Sequence, residues 1–371
     1  MSTPTSDPAR LLSRFVEDGT VPGGVIAVGR DPQPIAAGVM EVGGAPMRTD
    51  AIFRIQSMTK LVTAVAALRL VEQGVLELDS PIAPWLPELA EPRVLRVPRA
   101  ELADTVPART PITLRHLLTC TSGIGVQLED TPLSRAMTAR GVEAGPFPPR
   151  FGADDWLAAL AELPLTDEPG TIWRYHHSFG LLGVLLSRIS GTRTGEHLER
   201  TLLAPLGMWD TAPFVPPEKA HRLPAAHADE DGTLNAREPA GDGFHIGPPP
   251  YDTSHGELLS TAPDYLRFLR ALRDGELLRT EHLEMLRTDQ VPASAKQPDS
   301  FFPGFWDGTG WGFGVCVVTD GPHRGRWGWS GGAGTDFFID PDGTIGLLLT
   351  QVEIGERLSP VLEAYGELTA A

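Results

Sequence analysis

Apolar positions recur at helical spacing in some stretches of this chain and at strand spacing in others, and the two kinds are segregated. Leu11, Leu12, Phe15 and Val16 fall on one face of a helix from Pro8 to Asp18, which Gly19 stops. Val25 to Val28 and Ile35 to Val39 are short β-compatible runs, bounded by glycine and separated by Asp31-Pro32, and they predict a hairpin. A third short strand, Ala51 to Ile55, leads into the run Leu61 to Val71. That run is apolar almost all round, as in a helix enclosed by protein on every side, and Gly74 ends it.

From residue 81 to 285 the pattern is mainly helical. The expected helices are Leu114 to Leu118, Asp154 to Glu162, Phe179 to Ile189, Glu196 to Leu203 and Ala262 to Leu277. Gly145 to Pro149 and Gly247 to Tyr251 are too rich in proline and glycine to donate many backbone hydrogen bonds, and they read as loops over a surface or a cleft. Beyond about residue 305 strands return: Trp311 to Val318, Arg324 to Trp329, Asp336 to Ile339 and Thr344 to Thr350, with a turn at Asp340-Pro341-Asp342-Gly343. Pro360 to Ala371 closes the chain as a helix. Strands at both ends with helices between predict an α+β protein, in which one antiparallel sheet is built from both termini. Residues 1–80 and 286–371 form the sheet lobe, and 81–285 form an inserted, mainly helical lobe. A chain of 371 residues fits that division, because cores of this size usually split.

Composition narrows the partners. The formal charge of −17 leaves no general basic face for nucleic acid or an anionic membrane, and no uninterrupted apolar run is long enough to span a bilayer. Cys120 and Cys316 are two isolated cysteines with no metal spacing, which predicts buried thiols in a reducing compartment. Met1 to Arg10 has neither a basic nor an apolar leader segment, so a cytoplasmic location is expected. No cofactor and no metal are expected.

The chemistry centres on Phe53-Arg54-Ile55-Gln56-Ser57-Met58-Thr59-Lys60. At the start of the buried helix, Ser57 and Lys60 lie one turn apart on the same face, which sets an amine beside a hydroxyl. With 16 Ser but only 3 Lys in the chain, a Ser-x-x-Lys match is expected by chance far less than once. Arginine is used almost everywhere else, and a guanidinium cannot give up its proton, so a lysine here points to proton transfer. The bland alternative is a surface lysine in the first turn of a helix. The helix N-terminus would also favour an anion developing near Ser57.

Two further stretches stand out: Pro169-Gly170-Thr171-Ile172-Trp173-Arg174-Tyr175-His176-His177 and Trp327-Gly328-Trp329-Ser330-Gly331-Gly332-Ala333-Gly334-Thr335. With these, Ile112 to Thr119, Thr121-Ser122-Gly123 and Pro205-Leu206-Gly207-Met208 in order, the chain from about Pro22 to Glu363 resembles the serine β-lactamase and penicillin-recognising superfamily. Within it the likeness is to the class C-like branch that includes family VIII carboxylesterases and related acyltransferases. The resemblance implies a β-lactamase/transpeptidase-like fold with the active site between the lobes. It implies Ser57 as the acyl-accepting nucleophile, Lys60 as its general base and Tyr175 as the proton relay to the leaving group. The oxyanion would lie between the backbone N–H of Ser57 and one N–H from the strand after Trp329.

Two departures shape the expected substrate. The penicillin-binding relatives carry Tyr-x-Asn, where this chain has Tyr175-His176-His177, and their Lys-Thr-Gly is replaced by Trp329-Ser330-Gly331. Without that lysine the carboxylate of a β-lactam or a D-Ala-D-Ala peptide loses its charge partner. A small-molecule ester or thioester lacking the carboxylate is therefore the expected substrate. A carboxylesterase comes first, an acyltransferase onto an alcohol or amine second, and a β-lactamase, a DD-peptidase or a silent binding protein after them. Trp329, Gly331, His177 and His255 are the expected substrate-side residues. Gly328-Trp329-Ser330-Gly331-Gly332 also matches the Gly-x-Ser-x-Gly elbow of α/β-hydrolases, but a strand pattern follows it and His323 is the last histidine, so the triad order fails. His116 reads as structural, and His176-His177 lacks a third ligand for a metal.

Overall fold

The strands at the two ends of the chain meet in one sheet. In the computed structural model, which describes residues 7–145, 150–252, 254–298 and 300–368, seven antiparallel strands follow the order Ile35–Gly38, Gly23–Gly29, Ile345–Thr350, Thr335–Ile339, Trp327–Gly331, Cys316–Val318 and Thr309–Trp311. The N- and C-terminal contributions are joined where Val25 pairs with Leu349 and Ala27 with Leu347.

The period-two alternation of each strand sends its side chains to two different cores. Ile26, Phe338 and Leu348 face Leu11, Leu12, Phe15, Val361 and Tyr365 of the terminal helices Pro8–Glu17 and Ser359–Gly366. Their neighbours Val25, Ala27, Phe337, Leu347 and Leu349 face the other way, into a large cluster that holds the Thr59–Glu72 helix and continues without a break among the helices of the middle segment. The Thr59–Glu72 helix is buried at every position from Thr59 to Leu68, as its uniformly apolar composition requires.

Several elements differ from expectation. Phe53–Arg54 does not join the main sheet; it pairs with Leu259–Ser260 in a separate two-stranded ladder. The run Trp311 to Val318 is two strands, broken where Gly314 adopts φ +80° and Gly312 packs so closely on the Leu286 carbonyl that no side chain would fit. The Ala262 helix ends at Arg273, with Gly275 in the left-handed region two residues on. Its Tyr265 meets Phe337 at 5.6 Å, so this helix lies against the sheet. The helices Pro132–Arg140 and Thr280–Leu286 and the hairpin Ala226–Glu230 with Thr233–Glu238 were not expected. Residues 146–149 of the expected Gly145–Pro149 loop, and 369–371 of the expected C-terminal helix, lie outside the described residues. Cys120 and Cys316 are free thiols. No helix among the described residues is long and apolar enough to cross a membrane.

A buried ion pair ties the approach to Ser57 into this frame. Arg54 Nε and Nη2 meet Glu238 at 3.2 and 3.3 Å, and Arg54 Nη1 donates to the Pro224 carbonyl and to Gln351, both at 2.8 Å. Three residues before the candidate nucleophile, the backbone is thereby pinned to the Thr233–Glu238 strand and to the end of the main sheet.

Candidate active site

Ser57 is the middle residue of the 3₁₀ turn Gln56–Met58, which runs directly into the Thr59–Glu72 helix. The residue before it, Gln56, has φ +40°, a conformation that costs energy in a non-glycine residue and often marks a functional turn. Lys60 follows one turn later and is completely buried. Its Nζ lies 3.0 Å from Ser57 Oγ, donates to the His255 carbonyl, and stands 4.5 Å from the centre of the Tyr175 ring. Burial lowers the lysine from its ordinary 10.5 to about 7, with Cys120 and Glu257 pulling the other way. Near neutral pH a large fraction of Lys60 is therefore a free amine, able to take the Ser57 proton.

Tyr175 comes from the loop that precedes the His177–Ser190 helix. Its backbone is fixed by Val126 N–H donating to the Tyr175 carbonyl at 2.9 Å and Arg174 N–H donating to the Cys120 carbonyl at 2.8 Å. The phenol oxygen accepts from Trp329 Nε1 at 2.6 Å and is in hydrogen-bond contact with Ser57. Burial raises the phenol above its ordinary value. At neutral pH it is a protonated donor that can pass a proton on and recover it.

Trp329 does more than hold this hydroxyl. Its ring meets Trp311 at 4.7 Å, Tyr175 at 5.5 Å and Phe305 at 6.0 Å, forming an aromatic wall beside the Ser57 turn. The strand Trp327–Gly331 is paired along its whole length to Thr335–Ile339, but its other edge meets Cys316–Val318 only at Trp327 and Gly328. From Trp329 to Gly331 that edge has no partner strand among the described residues. A side chain at Gly331 would overlap the Ile55 carbonyl, and one at Gly332 would meet Gln56. The strand end thus lies against the turn carrying Ser57, where its backbone can serve an oxyanion together with the Ser57 N–H.

Ser57, Lys60, Tyr175, Trp329 and Gly331 are therefore brought together, and His255 joins them through its main chain. His177 does not stand on a polar cleft wall. It is only 1% exposed, its Nε2 is bonded to the Val142 carbonyl at 2.8 Å, and burial pushes it down to about 4. The reason is its place in the first turn of a helix buried from His177 to Leu186. Its neighbour His176 is partly exposed instead, at φ +92°, with its ring 3.9 Å from that of His255. Sequence reasoning passed over Glu257, whose carboxylate meets His255 Nε2 at 3.0 Å. The available signal was a His and a Glu two residues apart, brought face to face by the bend at Ser254 to Gly256. Ser330, on the opposite face of its strand from Trp329, donates to Asp336 at 2.5 Å. Among the described residues no group of three or more His, Cys, Asp or Glu could hold a metal ion.

An amine-bearing helix turn, a buried tyrosine and the edge of a terminal-strand sheet together define a β-lactamase/transpeptidase-like fold. The chain belongs to the Beta-lactamase family, whose model matches residues 8–353. It is 38% identical to Protein Rv1367c of Mycobacterium tuberculosis over 322 residues, covering 82% of this chain and 78% of that protein. It is 32% identical to Esterase EstB of Burkholderia gladioli over 320 residues, covering 80% and 76%. Among solved structures, EstCE1, described as a hydrolase with promiscuous acyltransferase activity, superposes with a TM-score of 0.80 over 96% of both chains at 24% identity, a likeness of fold.

Proposed function

We propose that this chain is a serine hydrolase that forms an acyl-enzyme on Ser57, and that it acts as a carboxylesterase on small or medium acyl esters without a recognised carboxylate. The observation that carries the reading is Lys60 Nζ, dehydrated and 3.0 Å from Ser57 Oγ, with the Tyr175 phenol also in contact with Ser57. The Lys60 amine takes the Ser57 proton as Oγ attacks the ester carbonyl. The oxyanion is held by backbone N–H groups of Ser57 and the Trp329–Gly331 edge; losing one such donor typically costs about 10²–10³ in rate. Tyr175 protonates the departing alkoxide and is reprotonated from Lys60. Water then attacks the acyl-enzyme and regenerates Ser57. In this reading the cleft lies between residues 1–80 with 286–371, which supply Ser57, Lys60 and Trp329, and residues 81–285, which supply Tyr175 and His255.

Trp329 stands where penicillin-binding relatives place a cation, and its surroundings are aromatic. That argues for an uncharged acyl group, and the name of EstB agrees with an ester substrate. A second reading, transfer of the acyl group to an alcohol or amine, is favoured by the same aromatic wall, which disfavours water and suits an organic acceptor.

Labelling with a fluorophosphonate, comparing wild type with Ser57→Ala, tests the nucleophile: only wild type should be labelled. An unlabelled wild type, or equal labelling of the variant, would overturn the assignment. Mass spectrometry of Ser57 after exposure to acyl esters, thioesters and β-lactams, with water and amines competing for the acyl group, then separates the two readings.

A further inference from the structure

We infer that Glu257, acting through His255, is the positioning residue that aims the amine of Lys60 at Ser57. The inference rests on the acyl-enzyme reading above.

The segment from Ser254 to Leu258 straps the first turn of the Ser57 helix. Thr63 Oγ1 donates to the Ser254 carbonyl at 3.2 Å, Lys60 donates to the His255 carbonyl, and Leu258 N–H donates to Thr59 Oγ1 at 3.1 Å. The Leu258 carbonyl in turn accepts from Ile55 N–H at 3.1 Å. Gly256 lies over the backbone of Gln56 and Ser57, where an added side-chain carbon would rest 3.7–4.0 Å away. Most of these clasps are neutral main-chain and hydroxyl bonds, sufficient to hold a loop in place.

The His255–Glu257 pair is a different kind of feature. Both side chains are buried, with Nε2 and Oε1 3.0 Å apart, and Glu257 Oε2 also accepts from Gly256 N–H at 2.9 Å. The carboxylate therefore grips the segment on both sides of the peptide whose carbonyl receives the Lys60 bond. The His255 ring also packs against that of His176, 3.9 Å away between centroids. Burying a carboxylate is expensive unless it is paired, and a strap already made by neutral bonds has no need of one.

The charge also has a target. The groups whose charges act on Lys60 or whose rings adjoin it are Cys120, Glu257, His176, His177, His255 and Tyr175. Burial holds Cys120 and Tyr175 in their protonated, neutral forms and pushes His176 and His177 towards their neutral forms. Glu257 is the carboxylate in that set. It favours the ammonium form of Lys60 against the larger effect of burial, and so adjusts the pH at which the amine becomes available, while its grip on His255 sets the direction of the amine.

The test is the pH dependence of the rate at which a fluorophosphonate labels Ser57 in the full chain, for wild type, Glu257→Gln, Glu257→Asp and His255→Asn, with thermal unfolding of each. Glu257→Gln is expected to move the acidic half-point down by about one pH unit, the size of effect a nearby opposite charge exerts, and Glu257→Asp to restore it. His255→Asn, which leaves the carboxylate and its bond from Gly256 N–H but removes its tie to the His255 ring, is expected to slow labelling at least tenfold at the plateau. Folded Glu257→Gln with the wild-type half-point, or His255→Asn with the wild-type plateau rate, would overturn the inference while leaving the acyl-enzyme reading intact. If Glu257→Gln does not fold, the His255→Asn plateau decides. A wild type that is never labelled at Ser57 would overturn both.

Discussion

Replacing Lys60 by methionine should abolish labelling of Ser57 and at the same time make the protein more stable at neutral pH. The folded chain holds this proton only up to about pH 7, whereas the unfolded chain holds it up to the ordinary 10.5. Between those values the unfolded state binds more protons, so stability rises with pH across that window. The lysine's burden on the fold is complete below pH 7 and gone above 10.5. At about 1.4 kcal/mol per pH unit, that burden is about 5 kcal/mol. Methionine has similar length and fills the same space without the charge. It leaves the buried His255 carbonyl without its donor, which costs about 1–3 kcal/mol. The net gain at pH 6.5 is then about 2–4 kcal/mol.

At pH 10 about 1 kcal/mol of the burden remains, and the orphaned carbonyl, at about 1–3 kcal/mol, should leave the variant no more stable than wild type. Urea unfolding of wild type and Lys60→Met at pH 6.5 and pH 10 measures both arms, and the comparison cancels every other group that titrates between them. A variant less stable than wild type at pH 6.5, or a difference that does not change between the two pH values, would refute the reasoning that Lys60 is held dehydrated for its chemistry.

Lys60→Arg should abolish acylation although it keeps the positive charge, because a guanidinium offers no free amine; retained esterase activity would show that Lys60 is only a point charge. Trp329→Phe keeps the aromatic wall but removes the donor to Tyr175, so the rate of acylation should fall by about tenfold or more, by analogy with general acid–base effects, with little change in the KM for an aryl ester; a change in KM alone would assign Trp329 to binding. Glu238→Gln leaves Arg54 buried without its charge partner, and should destabilise the fold by about 3–5 kcal/mol, read as a lowered urea midpoint.

Much of this architecture was legible because its signals are local. The terminal strands could be seen to form one sheet because alternation and glycine-bounded runs recur at both ends. The Ser57 helix could be seen to be central because no face of it is polar. The misplaced strand Phe53–Arg54 shows where that reasoning stops: a two-residue ladder has no pattern that distinguishes the main sheet from Leu259–Ser260 as its partner. The hairpin Ala226–Glu230 with Thr233–Glu238 is another matter. Its Asp231-Gly232 turn, both residues at positive φ, is a strong hairpin signal, obscured because charged residues on both strands break the apolar alternation.

The site divides along the same line. Ser57 and Lys60 are three residues apart, and helical geometry places them together whatever the rest of the chain does. Tyr175 and Trp329 required the resemblance of ordered motifs, since nothing in their own stretches says that they meet. The His255 carbonyl lies 195 residues from Lys60, and a main-chain acceptor leaves no residue type behind to find it by; only its tertiary position reveals it. What sequence does retain is the pair that holds the carbonyl, a His and a Glu only two residues apart. A search for the partners of a buried catalytic lysine should therefore look for the side chains that clamp an acceptor peptide, since that peptide itself carries no signature.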